Sequence, residues 1–142
     1  MRLFLDTEFN GFGGELISVA LMPEDGPSFY EVCTLPVRLD PWVREHVVPL
    51  LGKESMSYDA LRLNFHFYIR EYIDPEVICD WHADAGHFCD LLAGNDYGSS
   101  LDFACRLRIV KTPNGVPVSS MPHNALADAE ALKNWYLNGH RT

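Results

Sequence analysis

Apolar and polar positions along the first third of the chain alternate in short runs. Over Arg2–Phe9, Leu3 and Leu5 fall to one side and Phe4 and Asp6 to the other, a two-residue period that predicts a strand. Asn10-Gly11-Phe12-Gly13-Gly14 supplies a turn. Glu15–Met22, rich in Leu, Ile and Val, predicts a second strand, and Pro23–Pro27, built on Asp25-Gly26, a second turn. Ser28–Thr34 predicts a third strand, and three strands joined by tight turns predict an antiparallel meander.

The period then lengthens. Asp40-Pro41-Trp42 reads as a cap and first turn of a helix running to about Val47, with Pro49 ending it. Ser57–Ile73 predicts a longer helix, because Leu61, Phe65, Tyr68, Ile69 and Tyr72 share one face at three- and four-residue spacing, and Asp74-Pro75 stops it. Val77–Cys79 predicts a short buried strand. Asp84–Ala93 predicts a helix with Phe88, Leu91 and Leu92 on one side and Gly94 at its end. Leu101–Lys111 fits either a strand or a loop-edge segment with a short helix, and Pro113–Pro122 reads as a loop. Asn124–Asn138 predicts a last helix, stopped by Gly139. The order of elements predicts a mixed α/β domain.

Length and composition narrow the class. A chain of 142 residues is expected to form a single domain over residues 1–142, large enough to bury a core without staples. No apolar run approaches the roughly 18 residues that cross a bilayer. MRLFLDTEF reaches acidic residues too soon for a signal peptide, so the expected location is cytoplasmic. Cys33, Cys79, Cys89 and Cys105 are scattered, which favours reduced thiols. The net charge is −9, from 20 acids against 11 bases, which excludes a general nucleic-acid coat protein. It leaves room for an enzyme that meets a phosphodiester through metal ions, since bound cations invert the local field. Arg106, Arg108 and Lys111 form the densest basic stretch, either a backbone contact or an exposed strand face.

Three acidic points carry the chemistry. Asp6 and Glu8 are two residues apart at a strand end, so both point to one face. Taken alone, such a pair is more often solvated. Asp84 closes Asp80-Trp81-His82-Ala83-Asp84, between the buried strand and a helix start, where it could serve only as an N-cap. His123 stands just before the last helix and Asp128 early within it, on the side of Ala131 and Trp135, where a charged carboxylate needs a partner. An imidazole there suits removal of a proton from water near neutral pH, although a lone His before a helix is commonly a capping residue. Cys79-x-x-His82 and His87-x-Cys89 offer zinc ligands, but Cys79 ends an apolar strand and Cys89 sits beside Phe88, so both read as small buried hydrophobes.

The conjunction is more specific than its parts. Asp-x-Glu on the first strand, Asp after a later buried strand, then His-x-x-x-x-Asp at the last helix resembles the DEDD exonuclease superfamily, in its His-bearing DEDDh subgroup. The resemblance covers nearly the whole chain and implies an RNase H-like fold, an antiparallel meander followed by parallel strands and flanked by helices. It implies two Mg²⁺ or Mn²⁺ ions held by Asp6, Glu8, Asp84 and Asp128, with His123 activating the attacking water. That family often has Asn four residues before the middle Asp; Asp80 stands there instead, so Asp84 is taken as the ligand. DTEF, Glu15–Ser18 and Trp42–Leu51 look like the small RNase AS-type 3′→5′ exoribonucleases, which act on single-stranded RNA and form dimers. Within those stretches Arg44, Trp42, Phe9 and Glu15 are the candidate substrate contacts, Arg44 for phosphate and Trp42 for a base. A single-stranded DNA exonuclease of the same superfamily is the alternative. The apolar residues of Trp42–Leu51 exceed what one helical face buries, so a homodimer is expected, with Arg44 near the partner's site.

Overall fold

The computed structural model describes residues 1–93 and 101–139. Among the described residues, six strands form one mixed sheet. Strands β1 (Arg2–Phe9), β2 (Leu16–Pro23) and β3 (Phe29–Cys33) make the antiparallel meander, and β5 (Glu76–Cys79) and β6 (Arg106–Ile109) continue it in parallel on the other side of β1. The expected architecture of an antiparallel meander followed by parallel strands is therefore present. Strand β4 (Ser55–Met56) pairs parallel to β3 at the far edge; two residues carry no readable period, and it escaped the sequence reading.

Helices cover both faces. Helices α2 (Tyr58–Arg70) and α3 (His82–Ala93) bury Leu61, Phe65, Ile69, Phe88 and Leu91 against Leu3, Leu5, Val19 and Leu21. Phe65 is wholly buried, and truncating such a residue to Ala costs about 3–5 kcal/mol. On the opposite face α4 (Ala125–Leu137) packs Leu132, Trp135 and Tyr136 against Phe4, Ile78 and Val110. Near its start, Ala125 and Ala129 meet Ala20. Three small side chains let the helix approach the sheet closely there, beside the end of β1. No helix among the described residues is long and apolar enough to cross a membrane.

Several boundaries differ from those the sequence suggests. Helix α2 ends at Arg70, not Ile73, because Glu71 and Tyr72 bond three residues back to Tyr68 and Ile69, tightening the last turn. Helix α3 starts at His82, so Asp84 lies inside the first turn and is not the N-cap. The ambiguous Leu101–Lys111 segment supplies β6. Cys89 is exposed, unlike the buried Cys33 and Cys79, since its place in α3 turns it away from the Phe88 side. Helix α1 (Pro41–His46), followed by a 3₁₀ turn at Val48–Leu50, folds back over the sheet: Val43, Val47 and Leu51 are buried against Ile17 and Val32. That packing covers part of the apolar surface from which an association surface was expected, while Trp42 stays 48% exposed. Gly94, expected to end α3, lies with residues 95–100 outside the described residues.

Candidate active site

The carboxyl ends of β1 and β5 lie side by side in the middle of the sheet. Their parallel register pairs Phe4 with Ile78, which sets Asp6 beside Asp80, the residue that leaves β5. The β1 alternation sends Asp6 and Glu8 to the α4 face, and the close approach of α4 brings Asp128 there. Two groups of carboxylates result. One oxygen each from Asp6, Glu8 and Asp128 all lie within 4.8 Å of one another; the same holds for Asp6, Asp80 and Asp84. Asp6 belongs to both. These two groups contain no cysteine or histidine, and they are the ones among the described residues that could hold a metal ion.

The middle acid is anchored from β1. Thr7 points to the α3 side of the strand, and both its backbone N–H (3.2 Å) and its hydroxyl (2.6 Å) donate to Asp84 Oδ1. Asp84 is 2% exposed. Two oxygens in the cluster are enclosed and accept no hydrogen bond: Asp6 Oδ2 and Asp128 Oδ1. Leaving a buried acceptor unsatisfied costs about 1–3 kcal/mol, and more when it is charged. No ion pair among the described residues involves any of the five acids.

The electrostatics follow from that crowding. Burial, then the charges of Asp84, Glu8, Asp128 and Asp80, pushes the Asp6 carboxyl well above the ordinary carboxylate range. Burial, followed by Asp128 and Asp84, takes Glu8 from 4.5 to about 8. Burial takes Asp84 from 3.8 to about 7 against the opposing pull of the Thr7 hydroxyl, and Asp128 is raised, again chiefly by burial. In the bare protein the cluster cannot be fully ionised at neutral pH. Divalent cations would reverse that, and an all-oxygen donor set suits Mg²⁺ or Mn²⁺.

His123 sits at the mouth of this cluster and lines the clefts on both sides of it. Its backbone is in the left-handed region, φ 69°, an uncommon conformation for a side chain of this size. Its N–H donates to Asp128 Oδ2 at 3.0 Å, and its ring meets Trp42 edge-on at 4.9 Å. Trp42 is held in place by its helix start. Asp40 caps α1 through Trp42 N–H, and Asn10 ties the cap to the β1–β2 turn by accepting from Asp40 N–H and donating to Arg38 O. The turn itself demands Gly14, where a Cβ would lie 1.9 Å from Asn10 O.

Between the turn and α1 opens a cleft of about 560 Å³, lined by Phe9, Phe12, Trp42 and Trp81 as well as by Asp6, Glu8 and Asp128. Phe12 is 90% exposed and meets the edge of Trp81 at 6.0 Å. Of the expected substrate contacts, Phe9 and Trp42 line this cleft. Arg44 and Glu15 do not: Arg44 is on the outer side of α1, and Glu15 accepts from Asn10 Nδ2 outside the cleft. The basic stretch is elsewhere too, with Arg106 near Asp74 and Arg108 near Glu76 and the Tyr136 hydroxyl. Sequence reading passed over Thr7, Phe12 and Trp81, and it weighed Asp80 only to set it aside for Asp84. The signals were there for two of them: an aromatic at the tip of a glycine turn, and one at the strand-to-helix junction.

The chain is 40% identical over 78 residues to a protein of Mycobacterium tuberculosis named as a 3′-5′ exoribonuclease, matched in two strains of that organism. The match covers 49% of this chain and 46% of the relative, so the chain spans about half the length of the curated relatives it matches. No protein-family model matches the chain.

Proposed function

We propose that the protein is a metal-dependent 3′→5′ exoribonuclease of the DEDDh type. In this reading Asp6, Glu8, Asp84 and Asp128 hold two Mg²⁺ or Mn²⁺ ions, and His123 is the general base. The observation that carries it is the pair of carboxylate groups sharing Asp6, two of whose acids keep enclosed, partnerless oxygens. Cations held by Asp6, Glu8, Asp84 and Asp128 would supply charge neutralisation, a more acidic attacking water and stabilisation of the leaving 3′-oxygen.

The chain's own groups do the rest. Thr7 fixes Asp84, and the His123 N–H bond fixes Asp128, so the ligands are aligned before substrate arrives. The His123 imidazole takes the proton from the attacking water. Phe9, Phe12, Trp42 and Trp81 offer aromatic faces for the terminal bases, a contact worth about 1–3 kcal/mol per base and indifferent to sequence. With a net charge of −9, the protein holds a strand end through its cations and aromatics rather than through a basic track.

The test uses matched RNA and DNA oligomers, labelled at the 5′-end, incubated with Mg²⁺, with Mn²⁺ or with EDTA. The expected result is a ladder that shortens from the 3′-end of RNA with either metal and not with EDTA. Shortening from the 5′-end, or undiminished cleavage in EDTA, overturns the reading. Faster cleavage of DNA than of RNA keeps the chemistry and replaces the substrate.

A further inference from the structure

The four acids of the proposed mechanism leave one carboxylate of the cluster without a role. Asp80 directly follows β5, next to Asp6, and one of its oxygens lies within 4.8 Å of oxygens from both Asp6 and Asp84. It also lines the cleft on the far side of His123 from the aromatic one. Three carboxylates converging inside a largely buried site repel one another strongly unless something positive lies between them.

Two features point to a cation as that something. Asp6, common to both groups of carboxylates, has an enclosed oxygen, Oδ2, with no hydrogen-bond partner. The flanking acids are each gripped by a hydroxyl from outside the group, Asp84 by Thr7 at 2.6 Å and Asp80 by Thr112 at 3.1 Å. Such outer hydrogen bonds orient carboxylates that ligate metals. The Thr112 contact also shows the competing explanation: Asp80 could serve only to anchor the segment after β6 to the end of β5.

We propose that Asp80 is a direct ligand, together with Asp6 and Asp84, of one of the two divalent cations, giving the site five carboxylates instead of four. The inference rests on the reading that the cluster binds divalent cations. Five carboxylates against two divalent ions leave one negative charge in excess, so the site grips its cations more strongly than a four-acid site would. The substrate phosphate adds to that excess.

Calorimetric titration of Mn²⁺ into the chelator-stripped protein tests it, alongside thermal denaturation in EDTA and in Mn²⁺. Asp80→Asn keeps the shape and still accepts from Thr112; Asp80→Ser is a second variant, read in the same way. Changing an outer hydrogen-bond partner costs 10–100-fold in metal affinity, so losing a direct ligand should weaken one binding event by at least about tenfold. The other event should stay unchanged, and the melting temperature in EDTA should rise as repulsion is relieved. Two unchanged binding events with a lowered melting temperature would make Asp80 a loop anchor and overturn the inference alone. A wild-type protein that binds no Mn²⁺ would remove the cation reading of the whole cluster, and Asp80's role with it.

Discussion

At the amino-terminal end of β1, Arg2 lies between Glu24 (2.7 Å) and Glu76 (3.4 Å), with Arg108 on the other side of Glu76 and Arg106 beside Asp74. At the carboxyl end of the same strand, Asp6 and Glu8 meet Asp80, Asp84 and Asp128, and no arginine or lysine among the described residues pairs with any of them. The titration directions diverge accordingly. Burial alone would raise the Glu24 carboxyl, but hydrogen bonds from the Arg2 backbone and guanidinium bring it below its ordinary value. Glu8, with no cation to meet it, is pushed up to about 8. Among the described residues, arginines thus meet the acids at the amino-terminal end of β1 and none meets those at its carboxyl end.

The sharpest way to break that comparison is to remove the shared acid. Asp6→Asn should abolish nuclease turnover, a loss beyond the roughly 10–100-fold expected for an outer partner. It should also raise the melting temperature of the metal-free protein, because a buried repulsion is gone. Stability and activity would then move in opposite directions, as they should at a ligand site and not at a structural one. A variant that is both active and less stable would show that Asp6 serves the fold.

His123 comes next in size. His123→Ala should lower turnover by about 10²–10⁴-fold with Mn²⁺ affinity unchanged, since the ring is assigned to water and not to the cations. His123→Gly adds a control, because glycine prefers the left-handed backbone that His123 adopts at φ 69°. It should lose the same activity while staying within about 1 kcal/mol of wild-type stability. If His123→Gly kept its turnover, the position would matter for its backbone and its N–H bond to Asp128 alone.

A pH series separates the two ends by sign. For the acidic cluster the folded values lie above the unfolded ones, so the native state holds more protons than the unfolded chain between them. In EDTA this contribution is fully present below about pH 4 and is lost as pH rises toward 8, through the raised values of Asp84 and Glu8. Glu24 behaves oppositely: its depressed value contributes stability at neutral pH that is lost on acidification. Melting temperature in EDTA should therefore fall between pH 5 and 8, and Glu8→Gln should flatten that slope. Saturating Mn²⁺ should abolish it, with protons released on binding. A slope unchanged in Glu8→Gln would place the linkage elsewhere.

How much of this was legible beforehand follows from which interactions are local. Asp6 and Glu8 were readable because strand alternation alone sends them to one face. His123 and Asp128 were readable from their place at a helix start. Asp80 was noticed and set aside, because its nearness to Asp6 comes from the parallel register of β1 and β5, which no periodicity encodes. Thr7 escaped for a similar reason: its partner Asp84 is 77 residues away. Arg44 lies outside the cleft of its own chain, and apolar residues on a short helix do not tell how much of it the sheet beneath will cover.

The smallest expected effect sharpens the comparison from its quiet end. Arg2 is partly exposed, its guanidinium also sits 5.9 Å from the Tyr136 ring centroid, and its ion pairs are surface pairs of ordinary strength. Arg2→Met keeps the apolar stem and should cost about 0.2–1 kcal/mol, seen as a shift of the urea midpoint at constant slope. Four strand residues at about 3.3 Å each place Arg2 roughly 13 Å from Asp6, beyond the ~8 Å Debye length at physiological salt. Charge removed at Arg2 should therefore be scarcely felt at the cluster. Turnover and Mn²⁺ affinity should stay within about twofold of wild type, while Glu24 loses its depressed titration. A tenfold change in Mn²⁺ affinity on Arg2→Met would mean that the two ends of β1 share one electrostatic network, with the arginines tuning a site they do not touch.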